Sequence, residues 1–108
     1  MMDFLYVLRD KIPIRERDYR KWAVWFETSP DRIVARTTVG SDEVSTVFLG
    51  IDHRFGAGGP PLLFETMVFP KCDYTRRCST WEEAETQHRK VVEALEAVRT
   101  STKGRIIG

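Results

Sequence analysis

The fold class this sequence predicts is α+β: a small antiparallel β-meander of three to four strands, with an N-terminal helix and a long C-terminal helix packed on the sheet. Three observations carry the expectation. Apolar, β-branched runs stand close together at residues 32–40, 44–51 and 62–69. A terminal segment places apolar residues at three-and-four spacing along its length, and an earlier, shorter segment repeats that period.

The elements follow in order. Residues 3–9, "DFLYVLR", read as a short strand or a helical turn. In "RERDYRKWAVWFETSPD", Asp18 suits an N-cap, and Tyr19, Trp22, Ala23 and Phe26 recur at helical spacing. Trp22 and Trp25 read as core anchors, and Ser29-Pro30 stops the helix, because proline disfavours the helical conformation of its predecessor. "RIVARTTVG", 32–40, is a first strand, and "SDE" turns into the second, "VSTVFLGI", 44–51. "LLFETMVF", 62–69, is the third, and residues 72–78 suit a short fourth. In "STWEEAETQHRKVVEALEAVR", Ser79 or Thr80 caps the helix, with Glu82 or Glu83 as the reciprocal partner. Trp81, Ala84, His88, Val91, Val92, Leu95 and Val98 make its apolar stripe, which predicts a helix lying across a sheet face. The tail "TSTKGRIIG" reads as frayed, with Ile106 and Ile107 available for an edge contact.

Residues 1–108 make a single domain, long enough for one core. The chain is 42% apolar, 31% charged and 11% aromatic, which is globular composition. Seventeen Lys plus Arg against 16 Asp plus Glu leave a net charge of +1, with no basic arm, so nucleic acid is an unfavoured partner. Long apolar runs of membrane-spanning length are missing, and the N-terminal apolar stretch is too short and interrupted for a signal peptide, so a cytoplasmic setting is expected. Cys72 and Cys78 read as reduced thiols; their spacing would close a disulfide across a turn but is not a zinc spacing.

The chemistry concentrates in "GIDHRFGAGGPP", residues 50–61. A phosphate-binding P-loop is excluded, since GK[ST] is missing and prolines stand where a helix would begin. The plain reading is a long hairpin connection in which Gly56, Gly58 and Gly59 permit positive φ and Pro60-Pro61 stiffen the return. Asp52 and Arg54 would share one side, as an ion pair or a ligand contact. His53 would bind a metal, act as acid or base, or hydrogen-bond a backbone carbonyl. Glu65 stands within an apolar strand beside Leu63, Met67 and Phe69, so it needs a partner, with Arg54, His53 and Arg36 the candidates. If that face is open instead, Leu63 and Phe69 become a binding surface. His88, in the helix stripe, is either a core-edge histidine satisfied by a backbone oxygen or part of a metal or acid–base cluster with His53 and Glu65. Trp81, Arg54, Arg76 and Arg77 would stack on and pair with a phosphorylated ligand.

These pieces also carry a resemblance. Trp22 to Glu27, Val44 to Phe69 and Ser79 to His88 resemble a family of small uncharacterised proteins of bacteriophages and prophages, with the pattern "VSTVFLGLDH.FG.GPPLLFETMVF" at its centre. Two departures are visible: Gln87 replaces a small residue before His88, and segment 70–78 is shorter and bears cysteines. The resemblance implies a phage-type accessory protein in a bacterial cytosol and carries no activity.

Three function classes compete. The favoured one is a binding protein without catalysis, taking a host protein or a small phosphorylated, nucleotide-like ligand through Asp52, His53, Arg54, Glu65, Trp81 and His88, in counter-defence. An exposed strand face would serve a protein partner or a second copy, giving a homo-oligomer. Cofactors and metals are not expected in this reading. The second is a metal-assisted or acid–base enzyme built on Asp52, His53, Glu65 and His88. The third is a structural or regulatory component of the phage.

Overall fold

The computed structural model describes residues 4–54, 58–71 and 74–107, with side chains as far as residue 100. The α+β architecture is present. Among the described residues, six strands and two helices run in the order β1 (Tyr6–Arg9), β2 (Ile12–Arg15), α1 (Tyr19–Thr28), β3 (Ile33–Val39), β4 (Asp42–Phe48), β5 (Phe64–Phe69), β6 (Thr75–Cys78) and α2 (Trp81–Ile107), with a 3₁₀ turn at Pro30–Arg32. β3 to β6 form one antiparallel meander in sequence order, and β1 and β2 form a separate hairpin.

The sheet is two-faced because β-strand side chains alternate. Val44, Thr46 and Phe48 of β4, and Phe64, Thr66 and Val68 of β5, point to one face and are buried there. α2 lies across that face. Trp81, Ala84, His88 and Val91 are its buried residues, with Val92 and Leu95 partly covered. Val98, placed in the stripe by its spacing, is 64% exposed. The helix also runs on to Ile107, past the expected frayed start of the tail.

The start of α2 is a capping box. Thr80 Oγ1 accepts the Glu83 N–H at 3.1 Å, and Glu83 Oε1 accepts from the Ser79 and Thr80 N–H groups at 3.1 Å each. α1 begins likewise on Asp18, whose carboxylate accepts from the Arg20 and Lys21 N–H groups.

The β1–β2 hairpin was not legible. Its turn is Asp10–Lys11, both in the left-handed region (φ 51 and 68), the geometry a two-residue hairpin turn demands but ordinarily signalled by glycine or asparagine. The hairpin docks on the far end of the sheet: Tyr6 N–H donates to Gly50 O at 2.9 Å, Asp52 N–H donates to Phe4 O at 2.8 Å, and Leu5 bridges Ile51. Leu8 thereby joins the main core cluster with Phe48, Leu63, Phe64, Trp81 and Ala84. Trp22 fastens α1 to the same corner, its indole N–H reaching the carbonyls of Tyr6 and Gly50 at 3.1 and 3.0 Å. Trp25 packs edge-on against Phe48. Both tryptophans therefore hold α1 down, although each is only half-buried.

Leu63 is a correction. Alternation breaks just before β5, where Leu63 N–H donates to Cys78 O and Leu49 N–H donates to Leu63 O, so Leu63 and Phe64 are both buried. Leu63, read as sharing a strand face with Glu65, Met67 and Phe69, belongs to the core instead; Phe69 is 37% exposed. Gly56, the Cys72–Cys78 pairing and the side chains of Ile106 and Ile107 lie outside the described residues.

Candidate functional site

The loop after β4 consumes its own chemistry. Asp52 Oδ1 accepts the N–H groups of Arg54 at 2.9 Å and Leu62 at 3.0 Å, which closes the loop across its neck. Asp52 Oδ2 takes Arg54 Nε and Nη2 at 2.7 Å each, and Arg54 Nη1 donates onward to the Gly59 carbonyl. Desolvation pushes the Asp52 carboxyl up, but the hydrogen bonds from Arg54 and Leu62 and the Arg54 charge outweigh it and hold it below the ordinary value. His53 Nδ1–H donates to the Ile51 carbonyl at 2.9 Å. The Asp–Arg pair and the histidine thus take the structural alternatives open to them in the sequence. Together they pin a long connection.

Glu65 finds none of its expected partners. It pairs with Arg77 on β6 at 2.9 Å, directly across the strand register. Its side chain is 14% exposed on the sheet face away from α2, beside Arg36, Glu43, Ser45, Val47, Met67 and Phe69, where a shallow depression of about 390 Å³ lies.

His88 is a buried polar keystone. Its ring nitrogens stand 2.8 Å from Thr37 Oγ1 (Nε2) and 2.8 Å from Thr46 Oγ1 (Nδ1), and Thr46 Oγ1 is 2.8 Å from Thr66 Oγ1. The neutral ring donates from one nitrogen and accepts at the other, and hydroxyls suit either role. A threonine ladder across three strands therefore supplies the partner, rather than the backbone oxygen that sequence suggested. Burial drives the His88 pKa down from its ordinary value.

The alternative cluster of His53, Glu65 and His88 does not assemble. His88 faces Thr46 and Thr66 on the α2 side of the sheet, while Glu65 projects from the opposite side and His53 is tied to its own strand end. Among the described residues no group of three or more His, Cys, Asp or Glu side chains could hold a metal. Trp81 takes its place in the apolar stripe of α2 rather than the ligand-stacking one. It is 8% exposed, set edge-on to Phe64 in the core, with Lys11 Nζ 5.4 Å from its ring centre. Its ring is packed from within and is not a stacking surface.

A further concave feature lies along the outer edge of the sheet. Between β6 and α2 runs a groove of about 590 Å³, with Tyr74, Arg76 and Cys78 on the strand side and Glu82, Thr86, Gln87 and Lys90 among its helix wall. Its helix residues follow three-and-four spacing beside the buried stripe, so the groove is the seam where α2 rolls off a sheet whose last strand has only four residues. At Tyr74 and Lys90 it meets a second compartment of about 240 Å³, apolar, lined by Val68, Val91, Ala94 and Leu95. The charges are arranged. Arg76 lies 5.8 Å from the Tyr74 ring centre, and Lys90 lines both compartments. Glu83 is tied to the helix cap. Gln87 Oε1 is buried without a hydrogen-bond partner among the described residues. Burial and then the Glu83 charge raise the Cys78 thiol to about 11, so it is an inert wall residue at neutral pH.

Arg76 was legible as a candidate. Tyr74, Gln87 and Lys90 were not, because the polar shoulder of an amphipathic helix looks like any solvated flank. Comparison with family models, with curated proteins and with solved structures finds no match to this chain.

Proposed function

We propose that this chain is a binding protein that holds its partner in the groove between β6 and α2 without transforming it. The observation that carries the reading is the groove: about 590 Å³, within the range of ligand pockets, cationic at Arg76 and Lys90, acidic at Glu82 and Glu83, and sharing Tyr74 and Lys90 with an apolar compartment. A cationic rim beside an aromatic ring suits a ligand carrying negative charge, whether a small phosphorylated, nucleotide-like molecule or an acidic stretch of a host protein. The phage-family resemblance adds a bacterial cytosol and a counter-defence role as the setting. The rival acid–base reading requires His53, Glu65 and His88 to share a site, and they stand apart.

The test is a thermal-shift panel of phosphorylated nucleotides and acidic peptides on the wild type and on an Arg76→Glu/Lys90→Glu variant. A ligand at one hundred times its Kd adds about 2.7 kcal/mol, which raises the melting point of a small domain by about 10 °C or more. The reading expects a ligand whose shift disappears in a variant that melts normally on its own. A shift of equal size in both proteins would place the site elsewhere.

A further inference from the structure

β6 is an edge strand, and among the described residues no strand pairs with its outward N–H and C=O groups. The two edges of the sheet differ. β3, at the other edge, carries a register break between Ile33 and Ala35, a device that interrupts regular pairing. β6 pairs with β5 without a break from Thr75 to Cys78, and beside it lies the groove floored by α2. An edge strand flanked by a helix-walled groove is the arrangement in which an extended peptide adds to a sheet: the backbone supplies affinity, and the groove takes alternate side chains.

We infer that the groove receives an extended acidic peptide segment, which adds to β6 as a fifth strand and places an apolar side chain among Val68, Val91, Ala94 and Leu95. The inference rests on the binding reading above and names its partner class. Charge decides the occupant. Arg77 is paired with Glu65, and the groove's two carboxylates, Glu82 and Glu83, stand on the first turn of α2, whereas Arg76 and Lys90 make no ion pair among the described residues. The entrance to the apolar compartment is therefore positive, and carboxylates flanking an apolar residue complement it. A second copy pairing through its own β6 would bring the unpaired Arg76 of each copy close together, and like charges on adjoining strands repel. Glu82, at the far end of the groove, sets the direction by disfavouring acidic residues there.

The probe is a synthetic peptide of about six residues, the usual strand length, with a central leucine flanked by glutamates. It is titrated into the isotope-labelled full chain, with amide shifts and hydrogen exchange read residue by residue. Two further versions carry N-methyl groups on alternate amides, one in each phase; a third replaces glutamate by lysine. The inference expects saturable binding that slows exchange in β6, loss of binding in one methylation phase only, and no binding of the lysine peptide. In Arg76→Glu/Lys90→Glu the acidic peptide weakens by about tenfold or more and the lysine peptide gains. Binding indifferent to both methylation phases would overturn strand addition. Failure of every peptide, while a nucleotide binds the wild type and not the double variant, would overturn the peptide and leave the groove reading standing. A concentration-dependent dimer that buries β6 and excludes the peptide would overturn it in favour of self-association.

Discussion

Changing Thr46 to valine removes one oxygen from the centre of the molecule and leaves its shape nearly intact. That oxygen is fully buried and lies 2.8 Å from both His88 Nδ1 and Thr66 Oγ1. Valine fills the same space, so no cavity adds to the cost. What remains is a ring nitrogen and a hydroxyl that lose their partner in the core. Each such buried group costs about 1–3 kcal/mol, so the variant should lose about 2–6 kcal/mol. Against a total of about 5–15 kcal/mol for a domain, and a urea slope of about 1–2 kcal/mol/M, the midpoint should fall by about 1–2 M or more. Adding Thr66→Val removes the second hydroxyl and should recover part of the loss, a coupling of about 1 kcal/mol in a double-mutant cycle. Urea unfolding followed by tryptophan fluorescence reads all three variants. A loss below about 0.5 kcal/mol for Thr46→Val, or strict additivity in the double variant, would refute the claim that this network joins α2 to the sheet.

The same histidine sets a pH dependence. Its folded pKa lies below the ordinary 6.5, so the stability gained by burying the neutral ring is fully present above pH 6.5 and is lost as pH falls from there through the folded value. The stability difference between wild type and His88→Leu should therefore shift against the wild type on acidification below pH 6.5, with a limiting slope of about 1.4 kcal/mol per pH unit. Asp52→Ala should cost about 2 kcal/mol by releasing the loop neck, measured by urea unfolding. The Asp52 carboxyl is lowered from 3.8, so its contribution is complete above that value and disappears as pH falls through the lower folded one; the two proteins converge only in acid. Gly50→Ala should cost about 2 kcal/mol or more, because φ is +75 and a Cβ would stand 2.9 Å from the Phe26 ring, loosening α1 as read by near-ultraviolet dichroism. In a Cys72→Ser background, Cys78 should alkylate far more slowly at pH 8 than an unhindered thiol and accelerate only toward pH 11.

How much of this was readable depends on which physics writes on the sequence. Periodicity and capping do so directly: Asp18, Thr80 and Glu83 announced both helix starts, and the β-branched runs announced β3 to β5. Turn chemistry did not, because Asp10–Lys11 adopts positive φ without glycine, and Pro13 inside β2 argued against a strand. The loop was correctly seen as rich in chemistry, but partner choice is a tertiary matter. Asp52 spends its acceptors on its own loop, and Glu65 selects Arg77 through a strand register that no local pattern states. The groove was the least legible, since it arises where a four-residue edge strand meets the polar shoulder of α2.

The sharpest test of the account is an amide-resolved map of the full chain with the first ligand that stabilises it. Perturbations are expected in β6, at Val68 and along the Glu82–Leu95 side of α2, with the loop at Asp52–Arg54 unmoved. Perturbations centred on Asp52, His53 and Arg54, with β6 silent, would contradict it and return the site to the loop.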